Sequence, residues 1–180
     1  MIKPIPIIAG EPNSISSEII CKSWKYKNKI KCKPFFIIGS LKLFKMQINK
    51  LGYNINIFKI NEVSEVPFYF KKGLPFININ FNQKKPFESI SFKSQKYIFK
   101  CFEKAIEFID KKEVDSLINC PISKEYLLGD KYNGITEFLS KKFNLKDNEI
   151  MLIYSKKLSV SPLTTHIKIK HVAKKLNKKL

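Results

Sequence analysis

The chain has 180 residues, 34 basic and 15 acidic, giving a formal charge of +19. With 44% hydrophobic and 13% aromatic residues it can bury a real core, which excludes a disordered chain. No apolar run approaches the roughly 20 residues that span a bilayer. Met1–Gly10 holds too short an apolar stretch for a secretory signal, so the cytoplasm is the expected compartment.

In chain order, Ile2 to Ala9 reads as a short apolar strand, broken at Gly10-Glu11-Pro12-Asn13-Ser14. Ser16 or Ser17 can cap a following helix, with Glu18 in its first turn and Ile19, Ile20 and Trp24 as its buried side. Pro34 to Ile38 is a second apolar run, ended by Gly39-Ser40. Leu41, Phe44, Ile48 and Leu51 then fall at helical spacing, stopped by Gly52. Asn54 to Ile60 alternates like a strand, with Ile55 and Ile57 on one face. Strand-helix alternation of this kind predicts an α/β fold with parallel strand pairs.

Residues 61–90, punctuated by Pro67, Gly73, Pro75 and Pro86, are irregular, with a strand expected only around Ile77 and Ile79. The clearest amphipathic helix carries Ile98, Cys101, Phe102, Ala105, Ile106 and Ile109. A short strand, Asp115 to Asn119, leads into Cys120-Pro121. Beyond it come a helix with Phe138 and Leu139, two strands at Met151–Tyr154 and Leu158–Leu163, and a lysine-rich helix from Lys168. Repeats and linkers are absent, so residues 1–180 read as a single α/β unit without an internal boundary.

The charge invites a nucleic-acid or anionic-membrane reading, and a non-enzymatic basic module is one rival hypothesis. Two counts oppose it. Every basic residue is Lys, whereas the bidentate fork that reads phosphate and guanine belongs to Arg. Lys, Ile, Asn and Phe, all with A/T-rich codons, supply 90 of the 180 residues, so the charge follows composition. The lysines are scattered, except for a denser tail after Lys168; neither a nucleic-acid nor a membrane partner is expected. Cys21, Cys32, Cys101 and Cys120 lack metal-site spacing and read as reduced, mostly buried thiols.

Three loops follow predicted strands, where ligands bind in open α/β sheets. They are Gly10–Ser16; Asn119–Lys124, with Gly134–Phe138 shortly after; and Leu163–His166. Taken singly, each has a plain structural reading: a strand-helix turn, an N-cap at Thr136 with a surface Lys124, a hydrogen-bonded His166. His171 lies in the basic helix. A G-x-G-x-x-G fingerprint does not occur.

In order, these loops resemble the 4-hydroxythreonine-4-phosphate dehydrogenase family of vitamin B6 biosynthesis. Gly10-Glu11-Pro12-Asn13-Ser14-Ile15-Ser16-Ser17-Glu18 is similar to its G-E-P-A-G-I-G-P-E loop. Cys120-Pro121-Ile122-Ser123-Lys124 resembles G-P-I-N-K, and Gly134-Ile135-Thr136-Glu137-Phe138 resembles G-H-T-E-F. Thr164-Thr165-His166 matches a strand-terminal T-T-H. The resemblance implies a two-lobed α/β fold like the isocitrate and isopropylmalate dehydrogenases, of which this chain is the first lobe and the start of the second. It implies a homodimer, NAD, and a divalent metal (zinc, cobalt or magnesium) held by three histidines. It implies metal-assisted oxidation of a phosphorylated hydroxy acid, 4-phosphohydroxy-L-threonine, with decarboxylation. His166 takes the place of a metal ligand, and Thr136 that of a substrate contact.

Ile135 stands where the family has a substrate-contacting His, and Ile has no hydrogen bond to offer. Two family glycines are Ser14 and Ser16 here. Family chains are nearly twice as long, and the other metal and phosphate ligands lie in the half not represented. The expectation is therefore a fragment or truncated member, inactive by itself. An alternative is a diverged member acting on another phosphorylated hydroxy acid.

Overall fold

The computed structural model describes residues 2–129, 132, 134–145, 149–164 and 167–176. The chain divides into two compact units, Met1–Leu127 and Leu128–Leu180. The sequence reading draws no boundary there.

The first unit is a five-stranded sheet in which every pairing is parallel. Its strands are β1 (Ile5–Ile8), β2 (Phe35–Gly39), β3 (Ile57–Lys59), β4 (Leu74–Asn78) and β5 (Ile118–Asn119), in the order β3-β4-β2-β1-β5. Helices α1 (Ser16–Tyr26) and α2 (Leu41–Lys50) pack on each other. The short α3 (Val66–Tyr69) follows β3, and α4 (Gln95–Asp110) packs against β1 and β2. The unit ends within α5 (Lys124–Leu128).

Central strand β2 explains the layering. All five of its residues are buried, as in a sheet covered on both faces. Phe35 and Ile37 join a core with Ile20 and Cys21 of α1, Phe44 and Ile48 of α2, and Leu74 and Phe76 of β4. Phe36 points the other way and meets Phe108 of α4 edge-on, with ring centroids 5.9 Å apart. Strand periodicity thus assigns alternate side chains to opposite helical layers.

The predicted strands and the two predicted helices after β1 and β2 are present, with differences at their ends. Ser16 and Ser17 do not cap α1; Ile15 holds the cap position and both serines lie buried inside the first turn. Ile19, expected inside, is 37% exposed, and Cys21 takes its place in the core. Residues 61–90 contain a real interior strand, β4, despite Pro75. Proline lacks an N–H, and pairing with β2 begins only at Phe76, so no bond on that side is lost.

The second unit holds α6 (Ile135–Lys142), an antiparallel hairpin of β6 (Ile153–Tyr154) and β7 (Ser159–Val160), and α7 (Val172–Lys175). Its hairpin is apolar yet exposed: Ile153 is 62% and Tyr154 72% accessible. Among the described residues no helix is long and apolar enough to cross a membrane.

Candidate active site

The loops after β1 and β5 meet at the carboxyl end of the sheet. Gly10 ends β1's run with φ +72°, a left-handed conformation that favours glycine. A Cβ there would lie 2.4 Å from the Pro121 carbonyl oxygen and 2.8 Å from that of Cys120. The next residue, Glu11, donates its backbone N–H to Pro121 O at 2.9 Å. The first two loops singled out in the sequence therefore touch through backbone, and only glycine permits that approach.

Glu11 is 1% exposed. One of its carboxylate oxygens accepts from the Asn13 N–H at 3.2 Å and the other from Ser94 Oγ at 2.9 Å. Burial of a carboxylate is tolerated only with such donors. Asn13 in turn exchanges amide hydrogen bonds with Gln83, at 3.2 and 2.9 Å, and its Oδ1 accepts from the Glu88 N–H at 2.8 Å. Gln47 of α2 donates to Pro12 O at 2.6 Å and Pro86 O at 2.9 Å. Ser14 Oγ donates to Glu11 O at 2.8 Å and lies 2.7 Å from Ser16 Oγ. Ser14 and Ser16 thus add ties inside the loop. The Ser17 hydroxyl is buried without a partner.

A second polar knot joins β2 and β4. The Ser40 N–H donates to Tyr97 Oη at 2.9 Å, and the Leu41 N–H to Asn78 Oδ1 at 2.9 Å. Ser40 Oγ caps α2 by accepting from the Leu43 N–H at 3.4 Å. Burial pushes the Tyr97 hydroxyl well above its usual range, with neighbouring Cys101 adding to the effect. Burial likewise pushes Cys120 up to about 11 and Cys101 up to about 12. Burial thus favours the protonated thiols, as suits packed core cysteines rather than activated nucleophiles.

Ile135 and Thr136 are both half-buried in the first turn of α6. Gly134, not Thr136, holds the N-cap, with extended backbone at φ −173°. The Thr136 hydroxyl is thus not consumed as a cap. Glu137 lies in the same turn, as suits the positive end of a helix. Lys124 begins α5 and is exposed. His166 and Thr165 lie outside the described residues. His171 is exposed in the turn before α7. Among the described residues no three His, Cys, Asp or Glu side chains come together as a metal site.

Residues 30–180 match the family model for the pyridoxal phosphate biosynthetic protein PdxA. The chain belongs to this family. Among its relatives, the 4-hydroxythreonine-4-phosphate dehydrogenase of Sulfurihydrogenibium sp. is 31% identical over 182 residues, covering 99% of this chain and 54% of the relative. That of Aquifex aeolicus is 34% identical, covering 96% of this chain and 52% of the relative. The crystal structure of the Burkholderia phymatum 4-hydroxythreonine-4-phosphate dehydrogenase superposes with a TM-score of 0.85 at 23% identity, over 99% of this chain and 55% of that one. At that identity the superposition speaks for the fold. The chain spans about half the length of the PdxA relatives it matches.

Proposed function

We propose that this chain carries one part of the active site of an NAD- and divalent-metal-dependent dehydrogenase that oxidises and decarboxylates 4-phosphohydroxy-L-threonine, on the route to pyridoxal phosphate. The family match over residues 30–180 carries the reading. The ordered loops support it, since the first two meet where a parallel sheet binds ligands. With it come the isocitrate dehydrogenase-like two-lobed architecture, a homodimer and a cytoplasmic setting.

In this reading Thr136 offers a hydroxyl to the substrate, and His166 is one of three metal ligands. Imidazole suits zinc or cobalt better than magnesium, which prefers oxygen. A divalent ion would supply Lewis acidity toward the substrate's hydroxyl and carbonyl. The 180 residues contain only two histidines, so they cannot supply three imidazoles from one copy. The 180-residue chain alone is accordingly expected to yield no NADH from 4-phosphohydroxythreonine with zinc, cobalt or magnesium.

The gene, with whatever coding sequence flanks these codons, should restore pyridoxine-independent growth to a bacterium lacking its own enzyme. His166→Ala should abolish the rescue. Failure to rescue despite soluble expression would contradict the reading.

Ile135 favours a second one. Losing a hydrogen bond to a charged group costs about 1.5–3 kcal/mol, which points to a diverged substrate. A panel including phosphothreonate and phosphoerythronate separates the two. A strong preference for 4-phosphohydroxythreonine would remove the second.

A further inference from the structure

An open cleft of about 560 Å³ lies at the carboxyl ends of β2, β3 and β4, lined by Lys42, Lys45, Lys59, Asn78, Asn80 and Asn82 among others. Its position is set by topology. From β2 the chain crosses by way of α2 to the β3 edge; from β4 it crosses by way of α4 to the β5 edge. Neighbouring strands β2 and β4 thus send their connections in opposite directions. Helices α2 and α4 lie on opposite faces of the sheet, and the cleft opens beside the first turns of α2, at the ends of β2, β3 and β4. That is a topological switch point, where doubly wound sheets bind ligands.

The chemistry of the lining is one-sided. Three ammonium groups share the cleft with amide side chains, and no carboxylate lines it. Among the described residues none of the three lysines makes an ion pair. The first turn of α2, which brings Lys42 there, carries no acidic residue to offset the helix dipole. A lysine-rich composition alone does not produce this. The cleft lined by Lys3, Lys104 and Lys111 also includes Glu62 and Glu113. The Asn78 amide is oriented by two hydrogen bonds: its Oδ1 accepts from Leu41 N–H at 2.9 Å and its Nδ2 donates to Asn80 Oδ1 at 2.8 Å.

We infer that this cleft is a binding site for the phosphate group of a small molecule carrying at least two negative charges, held by Lys42, Lys45 and Lys59. It is built from residues other than Thr136 and His166, and it stands whether or not the dehydrogenase reading does. Its test is binding without metal or turnover.

Isothermal titration of the full 180-residue chain at physiological salt, with ADP, O-phospho-L-threonine and inorganic phosphate in turn, reads the site. One-site saturable binding of at least one probe is expected. The triple variant Lys42→Gln, Lys45→Gln, Lys59→Gln should weaken it by roughly tenfold or more, since charge-assisted hydrogen bonds are lost. The charge-matched triple Lys31→Gln, Lys33→Gln, Lys112→Gln, exposed residues that precede β2 or follow α4 and do not line the cleft, should leave it within about threefold, as distant exposed charges are screened. Trp24 fluorescence confirms that both variants fold. Preference for ADP would assign a nucleotide diphosphate, and preference for phosphothreonine a phosphate monoester. Equal binding of inorganic phosphate would show recognition of the phosphate alone. Absence of binding by all three probes, or equal weakening by both triples, would overturn the inference.

Discussion

The carboxyl end of the parallel sheet and the β6–β7 hairpin are built on opposite terms. At the sheet end, loops from four strands are tied by backbone contact, a buried carboxylate and paired amides. The hairpin has two residues per strand and exposes Ile153, Tyr154 and Val160. A two-stranded ribbon of that kind is marginal by itself in water. The contrast shows where positional precision is invested: a site needs loops fixed to fractions of an ångström, and core packing fixes them. Substitutions at the two places should therefore have very different effects on the first unit. Trp24, the sole tryptophan, sits in that unit with edge contacts to Phe35 and Phe70 and reports on it.

The largest effect is expected beneath the loops. Phe36 is fully buried between β2 and α4, and Phe36→Ala should cost about 3–5 kcal/mol in urea unfolding followed by Trp24 fluorescence. Next comes Gly10→Ala, which combines a left-handed backbone with a Cβ pressed on the Cys120 and Pro121 carbonyls. A loss of about 1–3 kcal/mol is expected, and an unchanged midpoint would mean that the two loops do not hold each other.

Alkaline pH should sharpen the contrast. Cys21 and Cys120 are raised from 9.0 to about 11 and Cys101 from 9.0 to about 12, chiefly by burial. A raised folded-state pKa gives stability that is whole below the unfolded value and is lost as pH rises through the folded one. Melting of the first unit should hold steady up to about pH 9 and decline toward pH 11. A Cys101→Ala variant should decline less steeply. At the small end, Ile153→Lys on the exposed hairpin should move the first unit's stability by no more than about 0.5 kcal/mol. A larger shift would erase the distinction between the two regions.

Much of the fold was legible because its signals are local. Helix α4 announces itself through Ile98, Cys101, Phe102, Ala105 and Ile106, all buried as their spacing requires. The parallel sheet follows from strand-helix alternation. Strand β4 was obscured because Pro75 and Gly73 read as breakers, and only the register with β2 makes them harmless. The hidden part of the site is long-range. Nothing near Glu11 in sequence announces that Ser94, 83 residues away, will satisfy its carboxylate. Nor does the pattern around Lys42 announce Lys59 and Asn80 as neighbours, since topology alone brings three strand ends together. A motif resemblance singles out Ile135 and Thr136, and the structure places both in the first turn of α6, where Gly134 rather than Thr136 holds the N-cap.

The central claim is that the carboxyl end of the sheet is the ligand-facing end. Amide chemical-shift mapping on adding 4-phosphohydroxythreonine tests it most directly. Perturbations are expected at Gly10–Ser16, Ser40–Lys45, Asn78–Asn82 and Cys120–Lys124. Perturbations confined to the opposite end, around Lys3, Asn61–Ser64 and Glu113, would contradict it.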